Sequence, residues 1–520
     1  MKLALPWKKT ILGLILLASV VLHFYNLPQN TQFQGDQGRD AIIVADIFRE
    51  KDPVFIGPVT SVGNMYLGPL YYYFMLPFLR LSYPSPLGPV YAVAAIGVLT
   101  TYLIWRLGKE IVGETAALTA AFFYTFSAVA TSYSRFSWNP NVMPLVSLLM
   151  VYWTYLAWKK NPKYWLWVMV AFSVLTQLHY LSLLTAPAAG AIWLTAVFQQ
   201  SKKAKKGLKN WWQATKKTIL PMLAGVMIFL ASLAPLVLFD IKHQGINFQA
   251  LKNLVTAEEH FSYNENQAAG SGLIRAIKET EGRGMHILFE YMIGKNRPLN
   301  QALLYLSAYL LIAVLIDRHQ QKKSTETEWL LLSFLGFSIL GTAFYEHSIF
   351  DHYIAYLFPL TALLYGYLFT RIKPKQLAVV ILVVFAGYFL NYNLPKMPLA
   401  PTGWTVADIR RTSEAILEKL EPGEKYSVIL LSESGDIEGQ NYRYFLTTGH
   451  TRPVPAEEQG SVDSLVIIDE QGLVDDVGSL PMYEIVTFPD KDNREVFAVE
   501  GGPTITILRR TTQAPAEQLE

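Results

Sequence analysis

An apolar run ending at Tyr25 is followed by ten more, each roughly 16–22 residues long, the length a helix needs to cross a bilayer. They lie at 87–106, 115–134, 139–158, 163–179, 181–198, 218–239, 301–316, 328–345, 352–370 and 376–391. Such a series predicts a polytopic α-helical membrane protein with about eleven transmembrane helices. Composition agrees. Hydrophobic residues make up 52% of the chain and charged residues only 16%, against about a quarter in soluble domains. The first run follows Lys2, Lys8 and Lys9, and no small-x-small cleavage site comes after it, so it reads as an uncleaved span.

Charge placement gives the orientation. With the N-terminus cytoplasmic, the loops 106–109, 159–163, 202–217, 318–323 and 371–375 face inward, and every one is basic. Cytoplasmic loops attract Lys and Arg, so this assignment is preferred over its reverse. The outward segments are then 27–86, 135–139, residue 180, 241–300, 346–352 and the C-terminal tail. Residues 1–393 form the transmembrane domain, with interfacial helices within 27–86 and an outward loop at 241–300. Stretch 36–51 is an expected amphipathic helix, and 66–81, Tyr-rich and broken by Pro69 and Pro77, an expected interfacial one.

From about residue 394 acids outnumber bases and apolar stretches become short. A helix at 406–420 behind the N-cap Thr405, then strands at 427–431, 464–468, 483–488, 496–499 and 504–508, predict a small soluble α/β domain over 394–520. The chain has no Cys, which excludes disulfides and thiolate chemistry. Short basic clusters that alternate with spans give no nucleic-acid footprint, so the expected partners include membrane lipids and no nucleic acid.

The apolar runs lack mid-span Asp, Glu, Lys and Arg, groups that ion-coupled transporters place near the midplane. Polar candidates gather instead at the expected outer ends: Asp36, Asp40, Arg135, Asn139, Asn141, His179, His347, Asp351 and His352. Asp36 lies in Gly35-Asp36-Gln37-Gly38, just beyond the first span. A carboxylate at the bilayer edge suits proton abstraction from a hydroxyl. Capping of the following helix explains the same residue.

The order of these motifs resembles the GT-C fold membrane glycosyltransferases, specifically the protein O-mannosyltransferase and aminoarabinose-transferase branch. Gly35-Asp36-Gln37-Gly38 stands where that family has an acidic residue after its first span. Leu67-Gly68-Pro69-Leu70-Tyr71-Tyr72-Tyr73 resembles the family's interfacial segment, with Gly68 in place of a Pro. Tyr133-Ser134-Arg135-Phe136-Ser137-Trp138-Asn139-Pro140 resembles its Arg-containing turn. Leu178-His179-Tyr180 and His352-Tyr353 with Pro359 resemble later span ends.

The resemblance implies a polyprenyl-phosphate sugar as donor, inversion at the sugar carbon, and Asp36 as general base. The acceptor is a hydroxyl of a protein, lipid or polysaccharide. Arg135 is then expected to meet the donor phosphate, although a snorkelling Arg at a span end explains it equally. Arg39, Asp40, Asn139, His179, Tyr180, His352, Tyr353, Tyr71 and Tyr72 are the further candidates for donor phosphate or sugar binding. Asn139 replaces an acid found in relatives, so no metal site is expected, and no cofactor beyond the lipid-linked donor. A flippase of lipid-linked saccharides is the alternative, and a non-catalytic receptor a third reading. The 241–300 loop is long enough to act as a lid.

The topology has a direct test. Alkaline phosphatase fused after residue 395 should be active in cells, and the same enzyme fused after residue 161 or 321 inactive. The opposite pattern would reverse the orientation.

Overall fold

The computed structural model describes residues 7–60, 65–202, 207–256, 272–345, 348–400, 404–433, 435–455, 462–470, 472, 480 and 482–511. His347 and the Gly-rich stretch at 267–271 lie outside the described residues. All eleven apolar runs are helical in whole or part. Among the described helices, eight are long and apolar enough to cross a membrane. The other three runs are the shorter Tyr164–Leu178, the interrupted pair Glu114–Thr125 and Ala128–Tyr133, and Glu326–Ala343.

Two compact units divide the chain. The first comprises Met1–Tyr25, Val54–Phe74 and Val90–Leu399; the second, Asn26–Pro53, Met75–Pro89 and Ala400–Glu520. In the first, helix Phe358–Phe369 is apolar on all sides and almost wholly buried, as a central helix should be. It packs on Glu114–Thr125, whose Ala116, Ala117, Ala120 and Ala121 are all buried. Lipid tails are as apolar as Leu, so helix association there depends on close packing of small residues. Gly366 is the tightest point. A Cβ there would collide with the Ala116 carbonyl and the Ala120 amide. Phe123 stands edge-on to Tyr365, Phe385 and Phe389 beside it.

Ion pairs tie the basic loops together. Lys160 meets Glu110 at 2.7 Å, Lys159 meets Glu326 at 2.7 Å, and Lys8 meets Glu114 at 2.7 Å. Glu328 is fully buried, paired with Arg318 at 2.8 Å and accepting from the Tyr367 hydroxyl. The loops around 110, 160 and 326 therefore lie at one end of this unit.

The expected helix over 66–81 starts late. Tyr66 is instead extended and paired with Val59, and the helix runs Leu70–Ser82. Pro69 disfavours helical geometry at Gly68, which delays the start. Within 241–300, the described helices are Ile246–Thr256, Gly272–Met285, a π-helical turn His286–Glu290, and Tyr291–Ile293.

The second unit holds a four-stranded sheet: β1 Tyr426–Leu431, β2 Ser464–Asp469, β3 Arg494–Ala498 and β4 Thr504–Arg509, in the order β1-β2-β4-β3. β1 and β2 are parallel and the other pairs antiparallel. Helix Val406–Leu417 opens with a capping box between Thr405 and Asp408. The expected strand at 483–488 is a helix, Tyr483–Thr487. Its core contacts explain the difference. Ile485 and Phe488, three residues apart, reach the same hydrophobic cluster, whereas strand residues facing one side are two apart. This unit also takes in the helix Gly35–Arg49, which packs on Gln440–Leu446.

Replacing Gly366 by Ala should lower the melting temperature in detergent, at a cost of about 1–3 kcal/mol from overpacking. An unchanged melting temperature would mean that the two helices can separate freely.

Candidate functional site

The Asp36 turn is a helix start with its own cap. Gln34 is the N-cap, and its backbone N–H donates to the Gln37 side chain at 2.8 Å in a reciprocal box. Asp36 therefore sits inside the first turn and is not the cap, the alternative reading of its place in the sequence. A helix N-terminus favours negative charge there. Its side chain is 47% exposed, and Oδ1 accepts from Arg39 Nη1 at 2.9 Å. The same guanidinium donates through Nη2 to Asp40 Oδ1 at 2.8 Å. Asp40 is buried. Arg39 thus binds two carboxylates and holds the Asp36 side chain in one direction.

Both flanking glycines face the C-terminal segment of the same unit. A Cβ on Gly35 would strike the Asp436 carboxylate, and one on Gly38 the backbone of Gln440 and Asn441. Burial pushes the Asp436 carboxyl above the usual carboxylate range, and the charges of Glu438 and Asp36 add to the rise.

The remaining candidates belong to the first unit. Arg135 is buried and donates to the Leu22 carbonyl at 2.7 Å and the Tyr25 carbonyl at 2.9 Å. Those carbonyls end helix Trp7–Phe24, where a cation complements the dipole. Burial lowers its guanidinium to about 10, so it stays cationic at neutral pH. Asn139 donates to the Leu178 carbonyl at 2.6 Å, and so fixes the turn before His179. His179 Nδ1 accepts from the Leu181 amide at 3.2 Å, so the neutral ring carries its proton on Nε2. The Tyr180 hydroxyl donates to the Tyr66 carbonyl at 2.5 Å.

His179, His352 and Tyr353 form one ring cluster. The His179 and Tyr353 ring centres are 4.8 Å apart, and those of His352 and Tyr353 4.5 Å. Trp138 stands 4.5 Å from His352, and Phe350 stacks on it at 5.8 Å. Tyr71 and Tyr72 are buried, Tyr71 sharing a 2.8 Å hydrogen bond with Ser137. Sequence reasoning brought His179, His352 and Tyr353 forward but overlooked Trp138, although it stands in the same motif as Arg135. It also passed over His286 and Glu290. Their i,i+4 spacing puts both on one helical face, where His286 lies 3.4 Å from Glu290 and 3.6 Å from Asp351. Among the described residues, no group of three His, Asp or Glu side chains is arranged to hold a metal ion.

Residues 67–239 match the family model described as dolichyl-phosphate-mannose-protein mannosyltransferase. ArnT from Cupriavidus metallidurans, solved bound to undecaprenyl phosphate, superimposes with a TM-score of 0.58 at 12% identity, covering 98% of this chain and 100% of that one. This chain has the fold of ArnT. The apo form of the same ArnT gives a TM-score of 0.52 at 13% identity, over 96% of this chain and 97% of its own. The archaeal oligosaccharyltransferase AglB from Archaeoglobus fulgidus, in complex with an inhibitory peptide and a dolichol-phosphate, gives 0.51 at 13% identity, over 99% and 76%. No curated protein sequence matches the chain significantly.

The Arg135 geometry makes a measurable claim. Arg135→Gln should lower stability by about 1.5–3 kcal/mol, the worth of hydrogen bonds made by a buried charged group, read as a fall in melting temperature. A variant that melts like the wild type would show that the first helix needs no such clamp.

Proposed function

We propose that this GT-C protein moves a sugar from a polyprenyl-phosphate donor to a hydroxyl acceptor on the extracytoplasmic side, with inversion and with Asp36 as general base. The observation that carries the reading is the ArnT fold along almost the whole chain. The solved ArnT holds undecaprenyl phosphate and the solved AglB a dolichol-phosphate, which supports a lipid phosphate as the leaving group here. The basic loops, tied to one another at one end, support an inward face and hence an outward C-terminal domain.

In the proposed step, an Asp36 carboxylate oxygen takes the proton of the acceptor hydroxyl. The acceptor oxygen forms its bond to the anomeric carbon. The bond from that carbon to the phosphate oxygen breaks, and polyprenyl phosphate leaves with the electron pair. Arg39 suits the task of orienting Asp36, because its guanidinium already bridges Asp36 and Asp40. His179, His352 and Tyr353 are assigned to the sugar or phosphate, with the His179 Nε2–H as a hydrogen-bond donor. Arg135, engaged with two helix carbonyls, is assigned a positioning task. The reaction as proposed draws on no metal and no cofactor apart from the donor lipid.

Asp36→Asn should reduce transfer by about 10²–10⁴-fold, the span of general acid–base catalysis, with donor binding little changed. The assay is release of free polyprenyl phosphate from radiolabelled undecaprenyl-phosphate hexose by purified protein. Full activity in the variant would remove Asp36 from the mechanism. Movement of donor across liposomes without release would favour a flippase.

A further inference from the structure

The stretch around Asp36 is gripped, residue after residue, by the last part of the chain. The Thr31 carbonyl accepts from the Val406 amide at 3.1 Å, and Gln32 pairs with Thr405. The Phe33 carbonyl accepts from Asn441 Nδ2 at 3.1 Å, and the Phe33 ring stands edge-on to Tyr444 and Phe445 at 5.6 and 5.7 Å. Gly35 lies against the Asp436 carboxylate and Gly38 against the backbone of Gln440 and Asn441. Farther along the same helix, Arg452 reaches Asp46 at 3.4 Å and Glu50 at 3.1 Å.

The gripping groups are themselves fixed. Asn441 is buried, and its Oδ1 accepts from the Tyr442 amide at 3.0 Å, which leaves the amide nitrogen aimed at Phe33. Asp436 Oδ2 accepts from the Gln440 amide at 2.9 Å. A carboxylate used as a base must be held to within a fraction of an ångström, and misplacement by 1 Å costs about 10²-fold. The Asp36 turn begins a helix, and its own cap fixes only the local backbone. What meets the residues on either side of Asp36 in this unit is the segment 436–446, with Thr405 and Val406 pairing just upstream.

We propose that the C-terminal domain is part of the catalytic apparatus, with Asn441 and Asp436 as positioning residues for Asp36. This rests on the reading of Asp36 as general base. It assigns the domain a task that an acceptor-docking or scaffolding module would not have. Asp436 also places a second carboxylate against Gly35, next to Asp36. Burial raises the Asp436 carboxyl above its ordinary value, and that carboxyl lies against Gly35, the residue before Asp36.

The test uses the full chain and undecaprenyl-phosphate hexose. Asn441→Asp keeps the shape but removes the donor to Phe33. It should lower kcat by about 10²-fold while KM for the donor lipid stays near the wild-type value. Asp436→Asn keeps the acceptor for Gln440 and removes the charge. It should lower kcat and delete the inflection that Asp436 contributes to the pH profile. If both variants match the wild type while Asp36→Asn is inactive, the inference falls and the general base stands. If Asp36→Asn is active, both fall together. Hydrogen–deuterium exchange on the intact wild type checks the grip without any variant. The amides of Gly38 and Val406, bonded to the Gln34 and Thr31 carbonyls, should be protected as strongly as those at 443–446, and free exchange at Gly38 and Val406 alone would overturn the proposal.

Discussion

Two missing side chains make room for everything around Asp36. Gly35 and Gly38 flank the carboxylate by one and two positions, and each lies where any Cβ would overlap a neighbouring segment. Because that space is open, a helix start can press directly on the turn at 436–441, where Asn441 Nδ2 donates to the Phe33 carbonyl. Arg39 then needs only to span two carboxylates on its own helix. The order of causes runs from glycine to packing, from packing to a fixed helix start, and from that start to a directed carboxylate.

The first unit solves a different problem, in which lipid offers no hydrophobic advantage to helix contact. Its central pair of helices meets through alanines and a glycine, where van der Waals packing is closest. Charge is confined to the ends and paired there. Glu328, wholly buried, persists because Arg318 and Tyr367 both serve it. Breaking such a pair by removing one partner is far costlier than never having had it. Arg135 obeys the same logic at a helix terminus, its charge answered by carbonyl oxygens.

How much of this the sequence discloses depends on the range of the interaction. Apolar runs are local, so the helices could be read off directly, and their membrane character followed from length alone. The helix beginning at Gly35 and the four strands were likewise visible from local pattern. The segment at 483–488 misled because its five apolar and β-branched residues suit either state, and only the shared core of Ile485 and Phe488 decides for helix. For the candidate site, Asp36 stood out through its place after the first span. Its neighbours Asp436 and Asn441 did not, because nothing local connects residues some four hundred positions apart. Arg135 was legible as a cation at a span end, but the carbonyls it meets belong to a helix more than a hundred residues earlier.

That separation has a consequence for biogenesis. Phe33 leaves the ribosome 408 residues before Asn441. At about 5–20 residues per second, the interval is roughly 20–80 s, during which most of the membrane bundle can already be inserted. Through that interval the contacts that the segment 436–446 makes with the Asp36 turn cannot yet form. On the proposed mechanism, competence would arrive only once the last stretch of polypeptide has docked, a completion check carried by the molecule itself.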